Sequence, residues 1–584
     1  MDREIIHQVI IGAVCSLLVV DCGFHEGWAT VTLPLFAKGD DPITLTSDQE
    51  VLIINLLYVG VGIGALAPIF LMDKIGRKWT LIFAALPKIF SWIAISFANS
   101  NITLCGARLL AGVGCGITYS VMPMYIGEIS SKRTRGPLGT LITVLINVGL
   151  LIIYVIGLRV DRFTMGMISL GIPVLFVVTF IWLPESSVYL TRKNRLTHAK
   201  QTLMWSLGKD DVEKELEEIR RIVFTEDQVR HIGLLGSMKV AVKTEACKKA
   251  IIIMFILGNV LTLTGAAPIL AYQSFIFDKA GFDIGADVGI VVTGCAIVIA
   301  GIVCVLFVKI IGKRKLIVFA APLTTISLGL VAIFFTLMAY GVNVESINWI
   351  PTVFIVIYVI LYGLALNPMP LAYLGEIFPF DVKVPAGICA SIYYALSTTA
   401  TVKVFQVLND SYGTHVPFWL FTGITFVLSI FIYIYVIETE GLTLEEIQHA
   451  LSKPSITQKS ANRIEINPVN RIHSILINHL EKQLMSGNIM NVPLVSVLHY
   501  QTNVKSRSLN GSKAHLANYR VAILVPLLSQ FTSTSAVEVK QLTTESIARG
   551  ECLLMLLSQD AYLCHTLKST DLQIPLTLSE FHLK

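Results

Sequence analysis

The sequence predicts an all-α membrane protein made of two six-helix bundles. Three observations carry this. The 584 residues are 54% hydrophobic and only 15% charged, where a soluble domain carries about 25% charge. About twelve apolar runs are long enough to cross roughly 30 Å of hydrocarbon as helices; they lie near 7–35, 51–72, 79–98, 102–125, 137–157, 164–183, 248–276, 286–308, 315–340, 350–374, 384–407 and 415–437. A basic, glycine-broken connector, Asp73-Lys74-Ile75-Gly76-Arg77-Lys78, recurs in degraded form at Lys309-Ile310-Ile311-Gly312-Lys313-Arg314-Lys315. Such recurrence is the mark of a chain built from two related halves around a shared pathway.

The elements follow in order. Residues 1–183 hold the first six runs, and 248–437 hold the second six. The first run is too long, and lacks the small-residue cleavage site, for a removable signal peptide. Between the halves, 184–247 is charged, and Lys209 to Arg221 reads as short amphipathic helices with i,i+4 ion pairs. The stretch Thr264 to Pro268 breaks the seventh run, and Pro368 and Pro370 break the tenth; breaks at membrane depth line cavities rather than lipid. Beyond 452 the membrane pattern ends, and the 452–584 tail is expected to be poorly ordered, with no role legible.

Charge placement sets the orientation. Lys74, Arg77 and Lys78 lie in one short connector, Lys132, Arg133 and Arg135 in another, and Lys313, Arg314 and Lys315 in a third. All three fall on one side of the twelve-span count. Lys and Arg in short loops mark the cytoplasmic side, which puts both termini there; the expected location of this multi-pass protein is the plasma membrane. The net charge of +5 adds little. The cysteines are scattered through apolar runs and read as small packing residues. No metal-ligand spacing, phosphate loop or nucleophile elbow stands in a suitable context. The reading is therefore no enzyme, no cofactor, no metal and no nucleic-acid partner; the partners are a small solute and the lipid bilayer.

Several motifs, in order, identify a family. Gly27-Trp28 is followed by Leu33-Pro34-Leu35, then by Asp73 to Lys78, and by Arg108 with Gly112, Gly114 and Gly116. Tyr125-Ile126-Gly127-Glu128-Ile129-Ser130 leads to Arg135-Gly136, and Pro184-Glu185-Ser186 follows. The second half adds Phe277 to Gly281, Gly375-Glu376-Ile377-Phe378-Pro379 and Glu438 to Ile447. From about residue 8 to 451 the chain resembles the sugar porter family of the major facilitator superfamily, within it the insect facilitated trehalose transporter-like proteins. The resemblance implies the major facilitator fold, alternating access to a central site, and a family motif over 438–451.

It also implies three groups of site residues. Asp73, Arg77, Glu128, Arg135, Glu185, Arg314, Glu376, Lys383 and Glu438 would form a cytoplasmic gating network, with ion pairs between the bundles holding one state. Lys309 stands where the family has Asp and Val384 where it has Gly, which weakens the second-half set. Asp21, His25, Glu26 and Arg108 are proton-coupling residues in this reading. A carboxylate inside a membrane helix needs a cavity or a partner, and Arg108 is the expected cationic partner of Asp21. The family's hexose-reading amides and indole are replaced by Thr143, Leu261, Thr262, Ala267, Leu371 and Tyr394. What remains polar nearby is Thr143, Asn147, Thr262, Tyr272, Gln273, Asn367 and Tyr394, the candidate substrate-binding set; the competing reading of each is helix–helix glue.

Two functional readings stay open on the sequence. One is a carrier for a sugar or sugar-like solute, facilitated or proton-coupled. The other is a non-transporting sensor or scaffold relative with an eroded sugar site.

Overall fold

The computed structural model describes residues 3–39, 41–131, 135–230, 244–281, 285–442, 444–452, 499–504 and 517–522. The chain divides into two units, Met1–Lys453 and Pro454–Lys584.

Among the described residues, every regular element of the first unit is a helix. Its first half holds α1 (Arg3–Lys38), α2 (Ser47–Gly64), α3 (Ala67–Ser96), α4 (Asn101–Ile129), α5 (Arg135–Gly157) and α6 (Arg162–Phe180). Short helices α7 (Ser187–Arg192), α8 (Leu196–Leu207) and α9 (Glu213–Arg230) follow. The second half holds α10 (Glu245–Thr262), α11 (Ala266–Ala271), α12 (Gln273–Ala280), α13 (Ala286–Ile311), α14 (Lys313–Ala339), α15 (Trp349–Leu361), α16 (Pro368–Glu376), α17 (Phe380–Tyr412) and α18 (His415–Tyr435), and α19 (Leu444–Ser452) closes the unit. Among the described residues, ten segments are long and apolar enough to cross a membrane, and Leu141–Gly157 of α5 is a shorter apolar helix.

The helix ends follow local rules. Thr46 caps α2 in a capping box with Gln49, Ser100 accepts from the Thr103 N–H at the start of α4, and Asp161 accepts from Phe163 and Thr164 at the start of α6. Each side-chain acceptor satisfies a donor that has no partner inside the helix.

The expected second run, 51–72, crosses two elements. The helix pauses at Ala65 and Leu66, resumes as the start of α3, and breaks at Gly76, whose φ of 92° lies in the region that favours glycine. The matching break in the second half falls at Gly312, φ 90°, between α13 and α14. The seventh run breaks where expected: α10 stops at Thr262, Gly265 (φ 85°) starts α11, and Tyr272 joins α11 to α12. The tenth run passes through a π-helical turn, Tyr362–Leu366, before Asn367 starts α16; such turns often accompany functional positions in helices.

Packing is tightest where glycines let backbones meet. A Cβ on Gly112 or Gly116 would collide with the Leu57 or Val61 carbonyl of α2, and one on Gly60 or Gly64 with the Leu109 or Val113 carbonyl of α4. This is the small-residue packing of membrane helices, where lipid offers no hydrophobic drive for association. The halves meet along α2 against α17 and α5 against α13.

The second unit has a two-stranded antiparallel pair, β1 (His499–Val504) and β2 (Ala517–Ala522), with His499 opposite Ala522. The all-α expectation therefore describes the first unit only. The rest of the expected disordered tail lies outside the described residues.

Candidate functional site

Three sets of polar groups lie in the first unit. The first is a pair of collars at the end bearing the basic connectors. In the first half, Glu185 accepts the backbone N–H groups of Arg77 (3.0 Å) and Lys78 (3.1 Å), just past the break at Gly76. The Arg77 side chain pairs with Glu128 at 2.9 Å, Ser186 donates to the other Glu128 oxygen, and Tyr125 donates to the Pro184 carbonyl at 2.8 Å. In the second half, Glu438 accepts the N–H groups of Lys313 (3.0 Å) and Arg314 (3.2 Å), just past Gly312. Lys313 pairs with Glu376 at 2.8 Å, Thr439 donates to Glu376 at 2.8 Å, and Tyr373 donates to the Ile437 carbonyl at 2.7 Å. Five interactions thus repeat, group for group.

The repeat corrects two expectations. The second-half counterpart of Arg77 is Lys313, which also pairs with Glu440 at 2.6 Å. Arg314, the expected residue, instead donates to the Tyr433 carbonyl at 3.1 Å, as Lys78 does to Ile181 at 2.7 Å. The pairs Arg77–Glu128, Lys313–Glu376 and Lys313–Glu440 each stay within one half rather than joining the two. The physical reason is the helix break: it exposes two N–H donors, and the nearest carboxylate that can satisfy them comes from the same half. Burial raises the Glu185 carboxyl above the ordinary carboxylate range, and the three backbone N–H bonds only partly offset this. Asp73 is half-buried on α3. Arg135 lies on α5 and Lys383 on α17, but their side chains fall outside the described residues.

The second set is a buried charge cluster on α1. Asp21 is fully buried; one oxygen accepts the Trp92 indole N–H at 2.8 Å and the other lies 3.4 Å from Lys88 Nζ. Lys88, also fully buried, donates to the Leu18 carbonyl at 3.0 Å and meets Cys22 Sγ at 2.9 Å. His25 stacks on Trp92, ring centroids 4.2 Å apart, with Nε2 3.9 Å from Asp21. Arg108 is not the partner expected from the sequence. It donates to the His25 carbonyl at 2.8 Å and lies 4.9 Å over the Trp28 ring. Geometry decides this, because Gly114 leaves the room that the Lys88 stem occupies beside α4. Lys88 was missed in the sequence, although a lone lysine within an apolar run was itself a signal.

The third set lines the seam between the halves. Thr30 donates to the Leu270 carbonyl at 2.8 Å and lies 3.4 Å from the Tyr154 hydroxyl, with Gln273 beside Tyr154. Gln273 accepts from Thr293 at 2.9 Å. Asn147 is buried and faces α13 at Gly301. The remaining candidates divide. Thr262 bonds Ser397 at 2.7 Å and the Gly258 carbonyl, tying α10 to α17. Tyr272 stacks on Phe405, centroids 5.6 Å apart. Tyr394 meets Tyr58 edge-on at 6.1 Å across the seam. Thr143 and Asn367 are half-buried. Thr30, Tyr154 and Thr293 were not singled out in the sequence; hydroxyls in apolar runs give too common a pattern to read.

Paired collars, two broken membrane runs and a polar seam between the halves lie within a multi-pass helical membrane protein, and comparison with solved structures shows the major facilitator fold. The chain is similar to the proton:xylose symporter XylE bound to 6-bromo-6-deoxy-D-glucose (TM-score 0.62, 20% identity, covering 76% of this chain and 99% of that one). It is also similar to the inward open conformation of the xylose transporter XylE from E. coli (TM-score 0.61, 17% identity, 76% and 99% covered).

Residues 15–451 match the family described as "Sugar (and other) transporter", and the chain belongs to this sugar porter family of non-enzymatic carriers. Among curated relatives, it is 29% identical over 451 residues to the facilitated trehalose transporter Tret1 of Drosophila yakuba, covering 76% of this chain and 52% of that protein. It is 28% identical over 472 residues to the Tret1-2 homolog of Drosophila simulans, covering 80% and 93%. The chain spans about half the length of several curated relatives it matches.

Proposed function

We propose that the protein moves a sugar or sugar-like small solute across the plasma membrane by alternating access, without a cofactor. The duplicated collar is the observation that carries this reading. Two equivalent halves, each held rigid at one end by its own carboxylate-capped break, can rock as bodies about the seam between them. The bonds seen between halves support an inward-facing state if the basic end is cytoplasmic, as the Lys and Arg placement suggests. At the other end Thr30 reaches Leu270, and Asp48 bonds both Lys403 (2.7 Å) and Gln406 (3.1 Å). Such exposed, solvent-screened pairs bias a conformational balance without freezing it. In this reading the two bundles span 1–183 and 248–437, joined by the helical 184–247 segment, with both termini cytoplasmic.

Flux follows the solute gradient in this proposal. Asp21 with Lys88 is the pair whose protonation would couple flux to protons, so uptake that ignores an imposed pH gradient rules that coupling out. The test of the carrier is uptake by the full chain in proteoliposomes, offered trehalose, hexoses and polyols. Uptake that falls at least tenfold in Arg77→Ala and in Lys313→Ala supports it. Absence of flux for every solute, with ligand binding retained, favours the sensor reading. The replaced amides at Leu261 and Ala267 and the replaced indole at Leu371 are the observation behind that second reading.

A further inference from the structure

Glu26 stands apart from the other charged groups of α1. From Asp21 to Leu33 every residue of the helix is buried except Glu26, which opens onto accessible space. The space is the seam itself: Thr30, one turn further on the same face, bonds the second half. The cations of the first half are already engaged. Lys88 serves Asp21 and Leu18, and Arg108, the nearest positive influence on Glu26, is turned to the His25 carbonyl and the Trp28 face. Among the described residues no Lys, Arg or His nitrogen comes within 4.0 Å of the Glu26 carboxylate. Its hydrogen-bond partner is the Tyr119 hydroxyl at 2.6 Å.

What surrounds this carboxylate is aromatic. Tyr119 and Tyr394 pack on the same small cluster of Cys22, Val61 and Cys115. Tyr394 meets Tyr58 edge-on, and Tyr362 stacks on Tyr358 with centroids 6.2 Å apart. Tyr58, Tyr362 and Tyr394 all lie within electrostatic range of Glu26. Two rings come from each half, so the box is assembled only when the halves meet. A carboxylate set among tyrosines is suited to a cation: aromatic rings attract a cation through their quadrupoles, and the carboxylate neutralises it. A neutral hexose would meet few of the amide donors and acceptors that its hydroxyls require.

We propose that the central site takes a small solute bearing a protonated or quaternary nitrogen, such as an amino sugar, with Glu26 as the counter-charge and Tyr58, Tyr119, Tyr362 and Tyr394 as the cage. This rests on the carrier reading for transport but not for binding. The test is therefore binding first: ligand-induced thermal stabilisation of the purified full chain, with glucose, N-acetylglucosamine, glucosamine under conditions that protonate its amine, and choline as probes. Glucosamine and choline should bind at least tenfold more tightly than the two neutral sugars. Glu26→Gln should weaken the cations about tenfold or more while leaving the neutral sugars unchanged, and Glu26→Asp should restore part of the preference. Tyr394→Leu should weaken choline even where folding is intact, as judged by the unliganded melting temperature. Neutral sugars binding as well as the cations, or cation binding indifferent to Glu26→Gln, overturns the proposal. Cation binding without any flux in proteoliposomes sustains it while defeating the carrier reading.

Discussion

At the scale of single residues, the buried pair Asp21–Lys88 has the largest energetic consequence. Two charges removed from water are tolerated because each answers the other and because Trp92 and the Leu18 carbonyl fill remaining positions. Removing one partner leaves an unbalanced charge, at a cost of about 3–5 kcal/mol. Lys88→Met and Asp21→Asn are each expected to lower the unfolding temperature in detergent markedly. The double variant should recover most of the loss. Additive losses would show that the two groups are not energetically paired. The sequence exposed Asp21 and His25 as anomalies of an apolar helix, but not their true partner. The sequence pointed to Arg108, and only the space opened by Gly114 selects Lys88 instead.

Glu185 carries a pH dependence at the same scale. Its carboxyl titrates above the ordinary range because burial disfavours the charge. The folded protein therefore holds this proton at pH values where the unfolded chain has released it. Stability contributed by Glu185 is present below the unfolded value and falls as pH rises through the window up to the folded one. Melting temperatures measured across mildly acidic pH should fall more steeply with rising pH in the wild type than in Glu185→Gln. Equal slopes would show that this carboxyl is not shifted.

At the scale of elements, the two collars are one device built twice. Gly76 and Gly312 both adopt positive φ, and a Cβ on either would collide with its capping carboxylate, Glu185 or Glu438. Gly76→Ala and Gly312→Ala are each expected to destabilise by at least about 1–2 kcal/mol, since strain in the left-handed region and the collision act together. Thermal unfolding of both variants checks this, and a response confined to one half would break the equivalence. The sequence displayed the repeat through the two basic connectors. The sequence reading named Arg314 in the gating network and left Lys313 out of it. Alignment on the glycine break instead places Lys313 opposite Arg77, and the hydrogen bonds follow the backbone rather than the side-chain type.

At the scale of the whole molecule, the halves are bound at the end opposite the collars. Asp48 and Lys403 are largely exposed, so their 2.7 Å contact is screened by water and contributes weakly to the balance of states. Asp48→Ala together with Thr30→Val should shift the population toward the state opened at that end. Labelling of a cysteine introduced on the seam, read with a membrane-impermeant reagent, should rise severalfold. Unchanged labelling would show that these contacts do not hold the end closed.

Hydropathy and the recurring connector determined the membrane class, most of the spans and the duplicated plan, because hydrocarbon imposes length and polarity on every crossing segment regardless of its neighbours. The breaks at Gly265 and before Pro368 were legible for the same local reason: glycine and proline limit the backbone wherever they occur. Tertiary structure alone decided which charges pair and which polar groups meet across the seam. Those depend on distances between residues remote in the chain, such as Lys88 with Asp21 or Thr30 with Leu270. In a low-dielectric interior an ångström of approach decides whether a charge is satisfied, and no local pattern of residues encodes that approach.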